Sequence, residues 1–106
     1  MDLAFEDEQL RAICIKRGRA LAVLGPDVAH ELNKRVADVR AAETALDLLV
    51  GTRIVGDEAM HVSLCNGFEL ILVGNHVQNP TTASGKIDWA KVVRVKAVEI
   101  SRVATA

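Results

Sequence analysis

The run Met60-His61-Val62-Ser63-Leu64-Cys65-Asn66-Gly67-Phe68-Glu69-Leu70-Ile71-Leu72-Val73 decides the fold. Asn66 and Gly67 both tolerate positive φ, which makes the pair the strongest short hairpin signal, and residues 60–64 and 68–73 are its two strands. Downstream, residues 74–85 carry Asn75, Asn79, Pro80, Ser84 and Gly85 and predict a polar loop. Residues 92–100 are β-branched and partly alternating, and they predict a last strand. Upstream, the hydrophobic period changes at Gly51. Before it, Val28, Leu32, Val36 and Val39 recur every three or four residues and predict a helix over 26–43, with residues 45–50 adding one more turn. Leu10, Ile13, Cys14, Leu21 and Leu24 predict an earlier helix running from Glu6 to the Gly25-Pro26 joint, where Gly ends one helix and Pro starts the next. A two-residue joint implies a helical hairpin. Asp2-Leu3-Ala4-Phe5 reads as an edge strand.

The layout is therefore α+β: an N-terminal strand and a helical hairpin packed on a curved antiparallel β-sheet of three or four strands. Leu10, Ile13, Leu32, Val36, Val39, Leu64 and Leu70 are its expected core. The length of 106 residues suits a single domain over 1–106, and a hydrophobic share of 50% argues against disorder. The acidic N-terminus MDLAFEDEQL lacks the basic and apolar regions of a secretory signal, and no apolar run reaches the ~20 residues of a membrane span, so a cytoplasmic protein with no membrane partner is expected. Cys14 and Cys65 then read as free thiols. No CxxC or paired-histidine spacing suggests a metal or another cofactor. Aromatic residues are few (Phe5, Phe68 and Trp89), and the net charge of −1 supplies no general attraction to nucleic acid. Any RNA contact needs a local basic patch.

The succession Leu24-Gly25-Pro26-Asp27-Val28-Ala29, then Arg35-Val36-Ala37-Asp38-Val39-Arg40-Ala41-Ala42-Glu43, Asp47-Leu48 and Gly51, resembles the helical half of the HigB-like killer toxins of the RelE/ParE superfamily. Gly56-Asp57, the hairpin Leu64-Cys65-Asn66-Gly67-Phe68, and Gly85-Lys86-Ile87-Asp88-Trp89 followed by Val92, Arg94, Val95, Glu99 and Ile100 extend the likeness over nearly the whole chain. The resemblance implies the toxin component of a type II toxin–antitoxin system, with a RelE-like fold. It implies metal-independent, ribosome-dependent cleavage of messenger RNA by basic and histidine side chains on the sheet. It also implies a cognate antitoxin, a small helix-turn-helix protein, as partner; homodimerisation stays open.

Two family positions are altered. The strand after the hairpin glycine usually carries an Arg that contacts phosphate, and Phe68-Glu69-Leu70 puts a carboxylate there. The last strand often closes on Asp-Tyr-His, and Arg102, Val103 and Ala104 stand at those places, so the terminal imidazole is replaced by Ala104. Both changes predict weakened cleavage, since losing one electrostatic stabiliser commonly costs about two to three orders of magnitude in rate. The alternative is a non-catalytic interaction protein that keeps the toxin fold and binds an antitoxin-like partner.

Arg94 and Lys96, two apart on the last strand, share one sheet face, with Arg102 of the same parity if the strand continues. They are the RNA-binding candidates, against an ordinary solvated face that pairs with Glu69 across the sheet. His61 and His76 are the acid–base candidates because histidine titrates nearest neutral pH, against ordinary strand-end residues. His30 lies on the charged side of its helix and reads as exposed. Trp89 reads as the anchor of the long loop rather than a base-stacking platform, and Asp88 as a cap of the turn beginning there. Cys65 has no activating base near it in sequence and makes a poor nucleophile.

Overall fold

The computed structural model describes residues 1–48, 51–56 and 58–102. Strand β1 spans Asp2–Phe5 and is followed by helices α1 (Glu8–Ile15), α2 (Arg17–Leu24) and α3 (Pro26–Ala41). Strands β2 (Thr52–Val55), β3 (Ala59–Cys65), β4 (Phe68–Gly74) and β5 (Arg94–Arg102) complete the chain, with short 3-10 turns at Ala45–Leu48 and Trp89–Lys91.

The single helix expected from Glu6 to Leu24 is two. Glu6 still donates its backbone N–H to Ala97 of β5, so α1 starts only at Glu8, where the Asp7 carboxylate accepts the Leu10 N–H at 2.8 Å. Lys16 then takes an extended conformation and separates α1 from α2. The break has a packing reason. Leu10 and Cys14 are buried in α1, but in α2 the buried position is Ala20, six residues beyond Cys14, which one continuous helix would rotate off the core. Leu21, which the unbroken period would bury, is 41% exposed.

Gly25, at φ +82°, turns the chain from α2 into α3, and α2 packs on α3 as the hairpin expectation required. Helix α3 stops at Ala41 rather than Glu43: Ala42 is extended, and the Asp47 carboxylate accepts the backbone N–H groups of Glu43 and Thr44. The expected further turn is present as Ala45–Leu48, and its last two positions lie outside the described residues.

The five strands lie in the order β1-β5-β4-β3-β2. Strands β2 to β5 form the expected antiparallel meander, and the Asn66-Gly67 turn has positive φ at both residues (53° and 80°). The sheet as a whole is mixed, however, not antiparallel throughout. The helices carry the chain from β1 to the far edge, three reversals bring it back, and β5 arrives beside β1 running in the same direction.

One face of the sheet is covered by helices. Met60, Val62, Leu64, Leu70, Leu72, Val95 and Ala97 meet Leu10, Cys14, Val28, Leu32, Val36 and Val39 there in one core. Of the seven residues expected inside, six are buried, Val36 at 5% exposure, and Ile13 is half-buried against the core. Full burial of a leucine such as Leu70 or Leu72 contributes about 2 kcal/mol, so this face supplies most of the stability.

Two irregularities shift the strand parity. Between β3 and β4, Ser63 pairs with Glu69 and Cys65 with Phe68, which leaves Leu64 as an extra residue. Between β4 and β5, Leu72 pairs with Ala97 but Ile71 with Glu99, which leaves Val98 as a bulge. The long connection from β4 to β5 is pinned by an isolated Thr81–Ile87 bridge and by Trp89, which packs against the core as the expected anchor. Asp88 occupies the cap position of the turn at Trp89, but its side chain makes no capping bond there and lies 4.0 Å from Lys91 Nζ instead.

Candidate functional site on the open face of the sheet

The face turned away from the helices carries the charged residues. Alternation along each strand puts Arg53 of β2, His61 and Ser63 of β3, Glu69 and Ile71 of β4, and Arg94, Lys96 and Glu99 of β5 on it. Register then aligns Arg53, His61, Ile71 and Glu99 in one cross-strand row, and Ser63, Glu69 and Ser101 in the next.

Glu69 is the centre of this face. It is 7% exposed, the one charged residue among the described residues buried to that degree. Arg53 Nε donates to its Oε2 at 3.1 Å and Arg53 Nη2 to its Oε1 at 2.8 Å, a bidentate fork. His61 Nδ1 lies 3.3 Å from the same Oε1. The Arg53 hydrogen bonds hold the Glu69 carboxyl below its ordinary range. Partial burial opposes that shift, and the bond to His61 adds to it. In return, the carboxylate holds the Arg53 guanidinium still more firmly protonated. A carboxylate buried without such partners would be costly, and here two cross-strand neighbours compensate it.

Arg94 and Lys96 do share the open face, but their acidic partners come from the N-terminal segment and not from Glu69. Arg94 Nε lies 3.7 Å from Asp2 Oδ2, and Lys96 Nζ lies 3.0 Å from Glu6 Oε2. Arg102 departs from the expected parity. The Val98 bulge inserts one residue, so Arg102 pairs with Phe68 on the helix side and stands over the Phe68 ring, 5.5 Å from its centroid. Counting by two along the sequence cannot reveal this.

The two candidate histidines are not brought together. His61 sits within β3 beside Glu69, whereas His76 lies in the connection after β4, where its Nε2 accepts the Val93 backbone N–H at 3.2 Å and ties the loop to the start of β5. His30 is exposed on α3, as expected. Burial pushes the Cys14 thiol up to about 11; burial together with Asp27 and Glu31 raises Cys65. Neither is a ready thiolate, and both are free. Among the described residues no three His, Cys, Asp or Glu side chains gather into a metal-binding group, and no helix is long and apolar enough to cross a membrane. Ala104 lies outside the described residues.

Arg53 is the member of this cluster that sequence reading did not single out. Its signal was Gly56-Asp57, a second turn-forming pair between Ile54-Val55 and Met60. The observed register pairs Val55 with Ala59, and counting outward from that pair brings Arg53 opposite His61, whereas a two-residue turn would have set it opposite Met60. Comparison with known proteins finds no matching family model, no similar curated protein and no similar solved structure.

Proposed function

We propose that this chain is the toxin component of a type II toxin–antitoxin pair, with a RelE-like fold, a small helix-turn-helix antitoxin as partner, and weak ribosome-dependent cleavage of messenger RNA. The α+β layout and the whole-chain resemblance support the assignment to that class. The observation that carries the weakness is Glu69. Its carboxylate occupies the middle of the open face, offsets the charge of Arg53 and lies against His61, where a phosphodiester would otherwise meet uncompensated positive charge. The ion pairs of Arg94 and Lys96 with Asp2 and Glu6 favour the second reading, a binding protein that has kept the fold and lost the chemistry, because they reduce the positive field further.

Two measurements test this, and the first separates the two readings. Induced expression followed by mapping of cleaved messages should show slow cutting on translating ribosomes, and robust cutting would contradict the weakened site. Co-expression with the product of the adjacent reading frame, followed by affinity capture, should recover a stable complex. An excess of partner a hundredfold above Kd raises apparent stability by about 2.7 kcal/mol. Failure to co-purify at micromolar concentration would remove the toxin–antitoxin reading.

A further inference from the structure

Glu69 has a second consequence besides neutralisation. We propose that His61 is a general base on the open face, with Glu69 as its positioning residue and Arg53 as the phosphate contact, and that it acts on a ribose 2′-hydroxyl beside a phosphodiester. The proposal rests on the toxin reading for its substrate class, and on the geometry of the three side chains for everything else.

An ionised carboxylate only accepts hydrogen bonds. With Glu69 Oε1 at 3.3 Å from Nδ1, the proton of neutral His61 belongs on Nδ1, and Nε2 is the bare nitrogen. Nε2 has no hydrogen-bond partner among the described residues and is not a sealed, orphaned atom, so it faces accessible space. Arg53 spends Nε and Nη2 on Glu69, which leaves Nη1 without a partner among the described residues, on a side chain that is 57% exposed. Arg53 and His61 are direct cross-strand partners, with Cβ atoms about 5 Å apart. Arg53 Nη1 and His61 Nε2 thus stand on one cross-strand row of the open face, where a phosphate and its neighbouring 2′-hydroxyl would be held.

In the step itself, Nε2 takes the proton of the 2′-hydroxyl and the 2′-oxygen attacks phosphorus. The bond from phosphorus to the 5′-oxygen breaks, and that oxygen takes a proton from solvent water. The products are a 2′,3′-cyclic phosphate and a 5′-hydroxyl end. Glu69 stays ionised and stabilises the imidazolium that forms, which later returns its proton to solvent. Solvent is a poor acid for the leaving oxygen, which is consistent with slow turnover.

Three measurements test the assignment. In ¹⁵N spectra of the free protein, His61 should be the Nδ1–H tautomer, reverting toward the common Nε2–H form in Glu69→Ala. Addition of the uncleavable probe 2′-deoxyuridylyl-(3′→5′)-adenosine should perturb His61 Nε2 and the Arg53 guanidinium, and should leave His61 unperturbed in Arg53→Gln. On ribosomes programmed with message, His61→Asn, whose amide still donates to Glu69 and preserves the fold, should lower kcat about 100-fold with KM unchanged. Cleavage that persists in His61→Asn overturns this assignment and leaves the toxin reading standing. Failure of partner capture removes the toxin reading, while the tautomer and the dinucleotide response still decide the site. An Nε2–H tautomer in the unmodified protein, or no response to millimolar dinucleotide, overturns the proposal.

Discussion

The two faces of the sheet are made by the same strands and stabilised by different physics. On the helix side, Met60, Val62, Leu70, Leu72, Val95 and Ala97 are closed over by α1 and α3, and what they contribute scales with the area removed from water. On the open side, Arg53, His61, Glu69, Arg94 and Lys96 contribute according to how well each charge is paired and how far it sits from solvent. The open face is itself uneven. Glu69 is nearly buried and holds two partners, whereas the side chain of Asp2, the partner of Arg94, is 83% exposed. Ion pairs that look alike in a contact list therefore differ in worth, because surrounding dielectric and preorganised geometry set their strength.

That contrast is best broken from the helix side. Val36→Asp buries an unpaired charge in the core and should cost about 4 kcal/mol in urea unfolding. A loss below about 1 kcal/mol would mean that α3 does not pack as described. On the open face the largest effect should come from Glu69→Ala, about 2 kcal/mol, since it removes a charge-assisted fork together with the bond to His61. A double-mutant cycle with Arg53→Met should recover a favourable coupling energy, and an additive cycle would show that the fork contributes nothing.

Acid sharpens the same point. Because Glu69 titrates lower in the folded chain than in the unfolded one, its contribution is complete above the ordinary carboxylate range and is lost as pH falls through its lowered value. Between about pH 5 and pH 2, the native protein should lose stability faster than Glu69→Gln, which has no carboxyl to titrate at that position. Parallel acid-unfolding curves would contradict the pairing. The smallest effect belongs to the exposed end of the face. Lys96→Ala should change stability by under about 0.5 kcal/mol, and the difference should fade in 1 M salt.

What was legible in the sequence follows the same division between local and distant causes. Asn66-Gly67 and Gly25-Pro26 announce their turns because the chemistry lies within two residues, and the periods of α3 and the hairpin strands follow from one-sided burial. The break at Lys16 falls two residues before Gly18, a weak mark with no proline beside it, and its place follows from the phase of burial against the sheet. The Val98 bulge has no local marker either, and it alone moves Arg102 to the other side. The cluster around Glu69 joins three strands, so it became visible only once two registers were known. The partners of Arg94 and Lys96 come from the other end of the sequence, through a pairing that no local pattern encodes.

That pairing, β1 beside β5, has a consequence in time rather than in space. The edge it forms joins the first strand of the chain to the last, so it closes the longest loop in the fold and incurs the largest closure entropy of any strand pair. Hairpin β3–β4 and the hairpin α2–α3 need only sequence neighbours, whereas β1, although it also touches α1 and α3, has no strand to pair with until β5 is in place. During synthesis, residues 2–5 are made before residues 94–97, and through that interval β1 has no strand partner. The order in which the strands are made and the order in which this edge can pair are thus opposed, and β1 completes its pairing only after β5 exists.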